Sequence, residues 1–394
     1  MGRFDDKEKA LDLNEKGIDL YELERHEEAI ACFDEAIRLD PELSDVHYNK
    51  GIALHVLERH EEAIACFDEA IKSDSENGDL WQWKGLSLHV LDRHEEAIAC
   101  FDEAIRLDPE LSDVHYNKGI ALHVLDRHEE AVACFDEAIR LDPESLVAWQ
   151  WKGITLKELN RNEESIACFD KDIRINPESE HSWHYKGVVL YRLERYEEAV
   201  ACYDKAISLD PELSDAWHSK GMSLHNLERY EEAVACYDED IRLDTESPYS
   251  WNNKGIALEE LERYEEAVAC YDEVIAMEPE LSDAWHSKGM SLHNLERYEE
   301  AVACYDEVIA MEPELSNVHY NKGMSLHNLE RYEEAVACYN EAIKIDPKEA
   351  DTWIEKGNSL ANLEKYDESI ACYDKVVACH DEANWLDPDH DVES

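Results

Sequence analysis

Histidine, cysteine and paired carboxylates are the residues in this chain most able to do chemistry, and all three recur at fixed intervals. A structural zinc site needs four ligands and a catalytic one three. His218 and His225 stand seven residues apart, which on a helix is the same face but roughly 10 Å along the axis. One ion cannot span that. The sequence contains no CxxC and no HExxH, and RHEEAIACF around His26 presents histidine and glutamate in the wrong order and phase. No metal and no cofactor is therefore expected, and a histidine-lined metal-responsive sensor is the weakest of three readings. His380, Asp387, Asp389, His390 and Asp391 gather ligand types near the C-terminus but read as a solvated tail. Cys32 lies six residues after His26, so the two point to different sides of a helix and form no nucleophile–base pair. Pairs such as Glu27-Glu28 repeat along the chain, which marks a solvated face rather than a tuned acid and base. No enzyme is expected.

The intervals themselves define the elements that carry these residues. Eleven of the twelve cysteines, from Cys32 and Cys66 to Cys372, recur every 34 residues, as do the Lys-Gly pairs from Lys16-Gly17 to Lys356-Gly357. Equivalent positions of stacked helical units lie roughly 10 Å apart, too far for a disulfide, so the cysteines read as small buried apolar groups. A strict period of this size calls for stacked supersecondary units. Between Ser214 and Ser247, Trp217, Gly221, Leu224 and Leu227 form one helical stripe, and Ala233, Val234, Tyr237 and Ile241 form another. Only Glu228-Arg229 separates them, which predicts an antiparallel helix pair. After a lead-in of residues 1–9, repeats begin at residues 10, 44, 78, 112, 146, 180, 214, 248, 282, 316 and 350 and run to residue 383.

Local signals complete the unit. Ser44, Ser112, Ser214, Ser282 and Ser316 are predicted helix N-caps. A mid-helix glycine costs about 1 kcal/mol relative to alanine, so its recurrence predicts a close helix approach, with Ala29, Ala63 and Ala97 on the facing surface. Pro41, Pro109, Pro143 and Pro177 should stop the second helices. Pro388 falls seven residues later than the period requires, which predicts a longer last helix; residues 384–394 hold its end and an acidic tail. Five repeats carry Phe where six later ones carry Tyr, and His26, His60, His94 and His128 give way through Asn162 to Tyr196 onward. No linker divides the array.

Trp81, Gly85, Leu88, Ala97, Phe101 and Pro109 fall in the register of the tetratricopeptide repeat, and the pattern closely resembles that family over residues 10 to about 383. The resemblance implies an all-α, right-handed solenoid superhelix of antiparallel helix pairs, with first helices lining a concave groove. Departures are a lysine before every repeat glycine, histidine or leucine for tryptophan at Leu13, His47, His115 and His319, and Ser75 and Thr245 in place of the stop proline.

The resemblance also places ligands against positions 2, 5, 6, 9, 12 and 13 of each repeat. Here those positions hold Tyr48, Asn49, Trp83, Tyr116, Asn117, Trp151, Tyr185, His218, His225, Asn252, Asn253, His286, His293, Tyr320 and Asn321. They surround an apolar ninth position, as at Ile52, Leu86, Ile120 and Met290. Such a surface suits a peptide, with amides for its backbone and aromatic rings as anchors. A Lys-Asn-Arg clamp for acidic peptide ends is missing, since the ninth position is polar only at Asn358.

Acidic residues number 95 against 38 basic ones, a formal net charge of −57. That field repels nucleic-acid phosphate and anionic lipid and favours neutral to basic protein partners. Adaptation to a salt-rich cytoplasm explains the acidity equally well. No apolar run approaches a membrane span, so a cytoplasmic location is expected. The leading reading is a non-enzymatic scaffold that binds peptides or proteins in its groove; the alternative is a repeat protein that self-assembles.

Overall fold

The computed structural model describes the backbone of residues 2–385 and the side chains of residues 6–376. It is all-α: twenty-two helices follow one another from Gly2–Glu22 to Tyr366–Trp385, and no strand occurs among the described residues. They are the paired helices of a tetratricopeptide-type solenoid, typically 13 residues in the first helix, as in Ser44–Val56, and 14 in the second, as in His60–Ser73. The last helix runs 20 residues. His380 and the acidic tail lie outside the residues whose side chains are described. The chain groups into two compact units, residues 1–195 and 196–394. Their boundary falls within the sixth repeat, where no linker composition marks it.

Each pair turns in three residues. At Leu57-Glu58-Arg59 the amide of Glu58 donates to the carbonyl of His55 (3.0 Å) and that of Arg59 to the carbonyl of Leu54 (2.9 Å). Glu58 takes a left-handed conformation, φ 60°, and the equivalent residue of every repeat does likewise. This closes the first helix in a Schellman arrangement without glycine, and it sets the end of one helix beside the start of the next.

One local expectation needs correction and another is extended. The recurring serines are not N-caps: the extended residue before the helix is Leu43, and Ser44, already helical, donates instead to the Ala70 carbonyl of its own repeat's second helix (3.2 Å). Side-chain caps are made only at Asn77 and Ser179 among the caps described. The mid-helix glycine lies against the second helix at the alanine position, as expected: where serine stands for that alanine, Ser165 and Ser369 donate to the carbonyls of Gly153 and Gly357 (2.6 and 2.8 Å). A Cβ on Gly85 would lie 2.6 Å from Phe101 Cε1, and one on Gly255 2.7 Å from Tyr271 Cε1. Glycine is thus also the seat of the second helix's aromatic ring, and Ala63 and Ala97 are fully buried.

The lysine before nine of the glycines, from Lys50 to Lys322, gains a role. Lys50 reaches back 16 residues to Asp34 (2.6 Å), and Lys84 to Asp68 (2.6 Å), so each pair ties a first helix to the preceding repeat. Where tryptophan opens the repeat, the same ammonium also lies over the indole, 5.6 Å from its centre at Trp81 and at Trp149. The eleven described cysteines are free and mostly buried. Burial pushes the thiols of Cys100, Cys168, Cys236, Cys270 and Cys304 up to about 11, so they stay protonated and inert. No helix among the described residues is long and apolar enough to cross a membrane.

Candidate binding groove

The fifteen residues singled out from the sequence sit on the first helices, and every one is half-buried. Each therefore packs against a neighbour and still presents an edge. Tyr48 leans on Phe67 (6.4 Å between ring centres), Tyr116 on Phe135 (6.3 Å) and Tyr320 on Tyr339 (6.1 Å), while Tyr185 stacks on Phe169 (5.9 Å). Trp83 and Trp151 meet His55 and His123 of the preceding repeats edge-on, both at 5.3 Å. The amides bridge repeats: Asn49 donates to Asn14 Oδ1 (3.0 Å), and Asn321 lies 3.0 Å from His286 Nε2. Asn253 comes to 3.5 Å from His218 Nε2. His225 and His293 pack on Tyr230 and Tyr298 of their own second helices. Asn117 and Asn252 occupy the same half-buried strip.

A ladder unnoticed in the sequence runs beside this strip. The imidazole near the end of one first helix meets a hydroxyl of the next: His55 with Ser87 (2.9 Å), His123 with Thr155 (3.0 Å), His293 with Ser325 (2.8 Å) and His327 with Ser359 (2.7 Å). Glu259 replaces histidine once and accepts from Ser291. The signal was present, since the hydroxyl residue always follows its partner by 32. Burial pulls His55, His123, His286 and His293 below the usual histidine range, so these rings are neutral at neutral pH.

Two concavities repeat one geometry. Ile18, Tyr21, Glu22, Phe33, Asn49 and Ile52 line a pocket of about 240 Å³. Met290, His293, Asn294, Tyr305, Asn321 and Met324 line one of about 180 Å³. Position for position they are the same six places of the repeat, between one first helix and the next, in separate units of the chain. Each offers an apolar floor, one asparagine from the following repeat and room for about one side chain. A smaller pocket of about 110 Å³ is edged by Glu349 and Asp351 beside Tyr320, which suits a cationic group. Val56, Val90 and Val124 add an exposed apolar edge (44%, 54% and 49% exposed). No group of three or more His, Cys, Asp or Glu able to hold a metal occurs among the described residues.

An all-α array of helix hairpins, with a ring seated on the mid-helix glycine in ten repeats and a shared pocket geometry at two junctions, is a helical-repeat protein. Sequence profiles of the tetratricopeptide repeat match residues 14–78, 56–112, 112–145, 146–179, 182–213, 202–235, 248–281, 282–315, 316–349 and 350–378. The chain belongs to the tetratricopeptide repeat family. No curated protein matches it. Among solved structures it is similar to YrrB, described as a tetratricopeptide repeat protein with an unusual peptide-binding site, at 26% identity over 47% of this chain and 95% of that one (TM-score 0.44). It is also similar to yeast Tom70, at 15% identity over 94% and 92% of the two chains (TM-score 0.40). Cut9, in the hetero-tetramer Cut9–Hcn1, matches at 16% identity over 89% and 76% (TM-score 0.43).

Proposed function

We propose that this protein is a non-enzymatic scaffold whose first-helix groove binds extended peptide segments of neutral to basic character. The observation that carries this reading is the recurrence of one side-chain-sized pocket at identical repeat positions in separate units. A peptide offering apolar side chains at intervals would fill such pockets in turn, and many modest contacts on a rigid wall sum to useful affinity. The asparagines are placed for peptide backbone, and Glu349, Asp351 and the overall negative field favour lysine and arginine.

Selection of a random peptide library against the full chain tests this directly. Enriched peptides should carry apolar residues flanked by Lys or Arg. Variants with Ile52→Asp or Met324→Asp, which place a carboxylate on a pocket floor, should lose that enrichment while keeping the helical circular-dichroism spectrum. Equal enrichment by the variants would sink the groove, and enrichment of acidic peptides would sink the assigned partner charge.

A further inference from the structure

In the first four repeats a histidine opens the second helix, and in three of them a second histidine stands five residues earlier, across the turn. The pairs are His55 and His60, His89 and His94, and His123 and His128, with ring centres 4.9, 4.8 and 5.0 Å apart. The left-handed turn residue makes this contact, so counting along a single helix does not reveal it. In the third repeat the two Nδ1 atoms face each other at 3.1 Å. Two nitrogens bound at 2.0–2.1 Å to one tetrahedral ion lie about 3.3 Å apart.

The neighbouring pairs show why the third differs. Ser87 and Thr155 engage Nδ1 of His55 and His123. Their partners' Nδ1 atoms, on His60 and His128, are then left buried without any hydrogen-bond partner; His60 is only 8% exposed. After the third repeat the equivalent residue is Ala121, which has no hydroxyl, and His89 turns its Nδ1 toward His94 instead. On the other side of that ring, the Asp92 carboxylate lies 3.6 Å from His94 Nε2, which favours the proton there and the lone pair on Nδ1. The 3.1 Å contact is a hydrogen bond in which one Nδ1 carries the proton, and a neutral imidazole frees that nitrogen for a cation by moving the proton to its own Nε2.

We propose that His89 and His94 form a two-imidazole site for a borderline divalent cation of the zinc type, completed by water. Imidazole nitrogen suits Zn²⁺, Cu²⁺ and Ni²⁺ and not Mg²⁺ or Ca²⁺, and the chain's negative field concentrates cations near the open positions. The equivalent pairs of the second and fourth repeats bind more weakly, because a hydroxyl competes for one nitrogen in each. His89 shares its repeat position with the groove residues His225 and His293, but the inference does not depend on peptide binding.

The test is calorimetric titration of the full chain with Zn²⁺ in excess Mg²⁺, which occupies the surface carboxylates. One site should stand out in wild type and weaken at least tenfold in His94→Tyr, a side chain that Tyr230 and Tyr264 already place at the same repeat position. Ala121→Ser should weaken it too, by supplying the hydroxyl that captures His89. Cu²⁺ bound in place of zinc should show coupling to two nitrogens in its electron paramagnetic resonance spectrum, and to one in His94→Tyr. Zinc binding that is unchanged in His94→Tyr, or that vanishes under excess Mg²⁺, overturns the site.

Discussion

Residues 1–195 and 196–394 use one repeat but fill three of its positions with different chemistry. The first unit seats Phe33, Phe67, Phe101, Phe135 and Phe169 on its glycines, opens four second helices with histidine, and exposes Val56, Val90 and Val124. The second seats tyrosines such as Tyr237, Tyr271, Tyr305 and Tyr339, opens its second helices with tyrosine, and puts Asn226, Asn294 and Asn328 where the valines were. Ring carbon against glycine is common to both, with a hypothetical Cβ 2.5–2.6 Å from the ring at Gly51, Gly85, Gly221 and Gly323. The contact is steric and indifferent to the para substituent. What differs is polar accounting: a phenylalanine core asks for no partner, whereas each buried tyrosine hydroxyl must find one.

The steric element should give the largest effect and the least difference between units. Gly85→Ala and Gly255→Ala each force a Cβ into a buried ring, at an expected cost of about 2–3 kcal/mol net of alanine's better helix preference. The loss is read as lowered amide protection in the affected repeat, since a repeat array opens piecewise. A cost confined to one unit would break the claim that the ring seat is shared.

Buried carboxylates sharpen the comparison at the next level. Asp172 and Asp240 stand where other repeats have Ala70 or Val274, and each is followed ten residues later by a serine, Ser182 or Ser250, that donates to it. Asp240 also accepts from Ser214 and meets His218 Nδ1 at 3.0 Å. Asp172 adds only Gln150 (3.1 Å), and its Oδ1 is buried without a partner. Asp240→Ala should therefore cost about 2 kcal/mol and Asp172→Ala about 1 or less. Burial pushes the Asp240 carboxyl up, but bonds from His218, Ser214 and Ser250 outweigh it and hold it below the usual range. Its folded value lies below its unfolded one, so its contribution is complete above the unfolded value and is lost as pH falls through the folded one. Acid melts of wild type should show that slope and Asp240→Ala should not; identical slopes would remove the carboxylate from the account.

Much of this was legible because a 34-residue period repeats every signal. Helix pairs, the tight turn and the stop prolines follow from apolar spacing and from Pro41 and its equivalents. What escaped depends on partners outside the repeat or across a turn. The role of Lys50 needs Asp34 of the previous unit, and the His89–His94 contact needs the left-handed Asp92 (φ 57°) between them. Ser44 misled because the residue before it, Leu43, takes the extended cap conformation. The groove strip was readable as positions but not as contacts, since half-buried residues such as Asn49 and Trp83 serve packing and surface together.

The hydroxyls themselves give the smallest effects, and they should carry opposite signs within one unit. Tyr339 Oη is buried and unpartnered; the nearby Ser359 hydroxyl is engaged by His327 Nδ1 at 2.7 Å. Tyr339→Phe removes that orphan and should stabilise by about 1 kcal/mol. Tyr271 instead donates to Glu259 Oε2 at 3.0 Å, so Tyr271→Phe should destabilise by a similar amount. Burial already pushes the Glu259 carboxyl above its usual range against the donors Ser291 and Tyr271. A carboxyl raised in the folded state stabilises when protonated, and that contribution is lost as pH rises through its folded value. Losing one donor raises it further, so the cost of Tyr271→Phe should be greater at neutral than at acid pH, while the gain in Tyr339→Phe should be flat. Urea unfolding of both variants at the two pH values decides it. Equal effects of the same sign would mean that the second unit tolerates its tyrosines as the first tolerates phenylalanine, and the polar distinction between the units would fall.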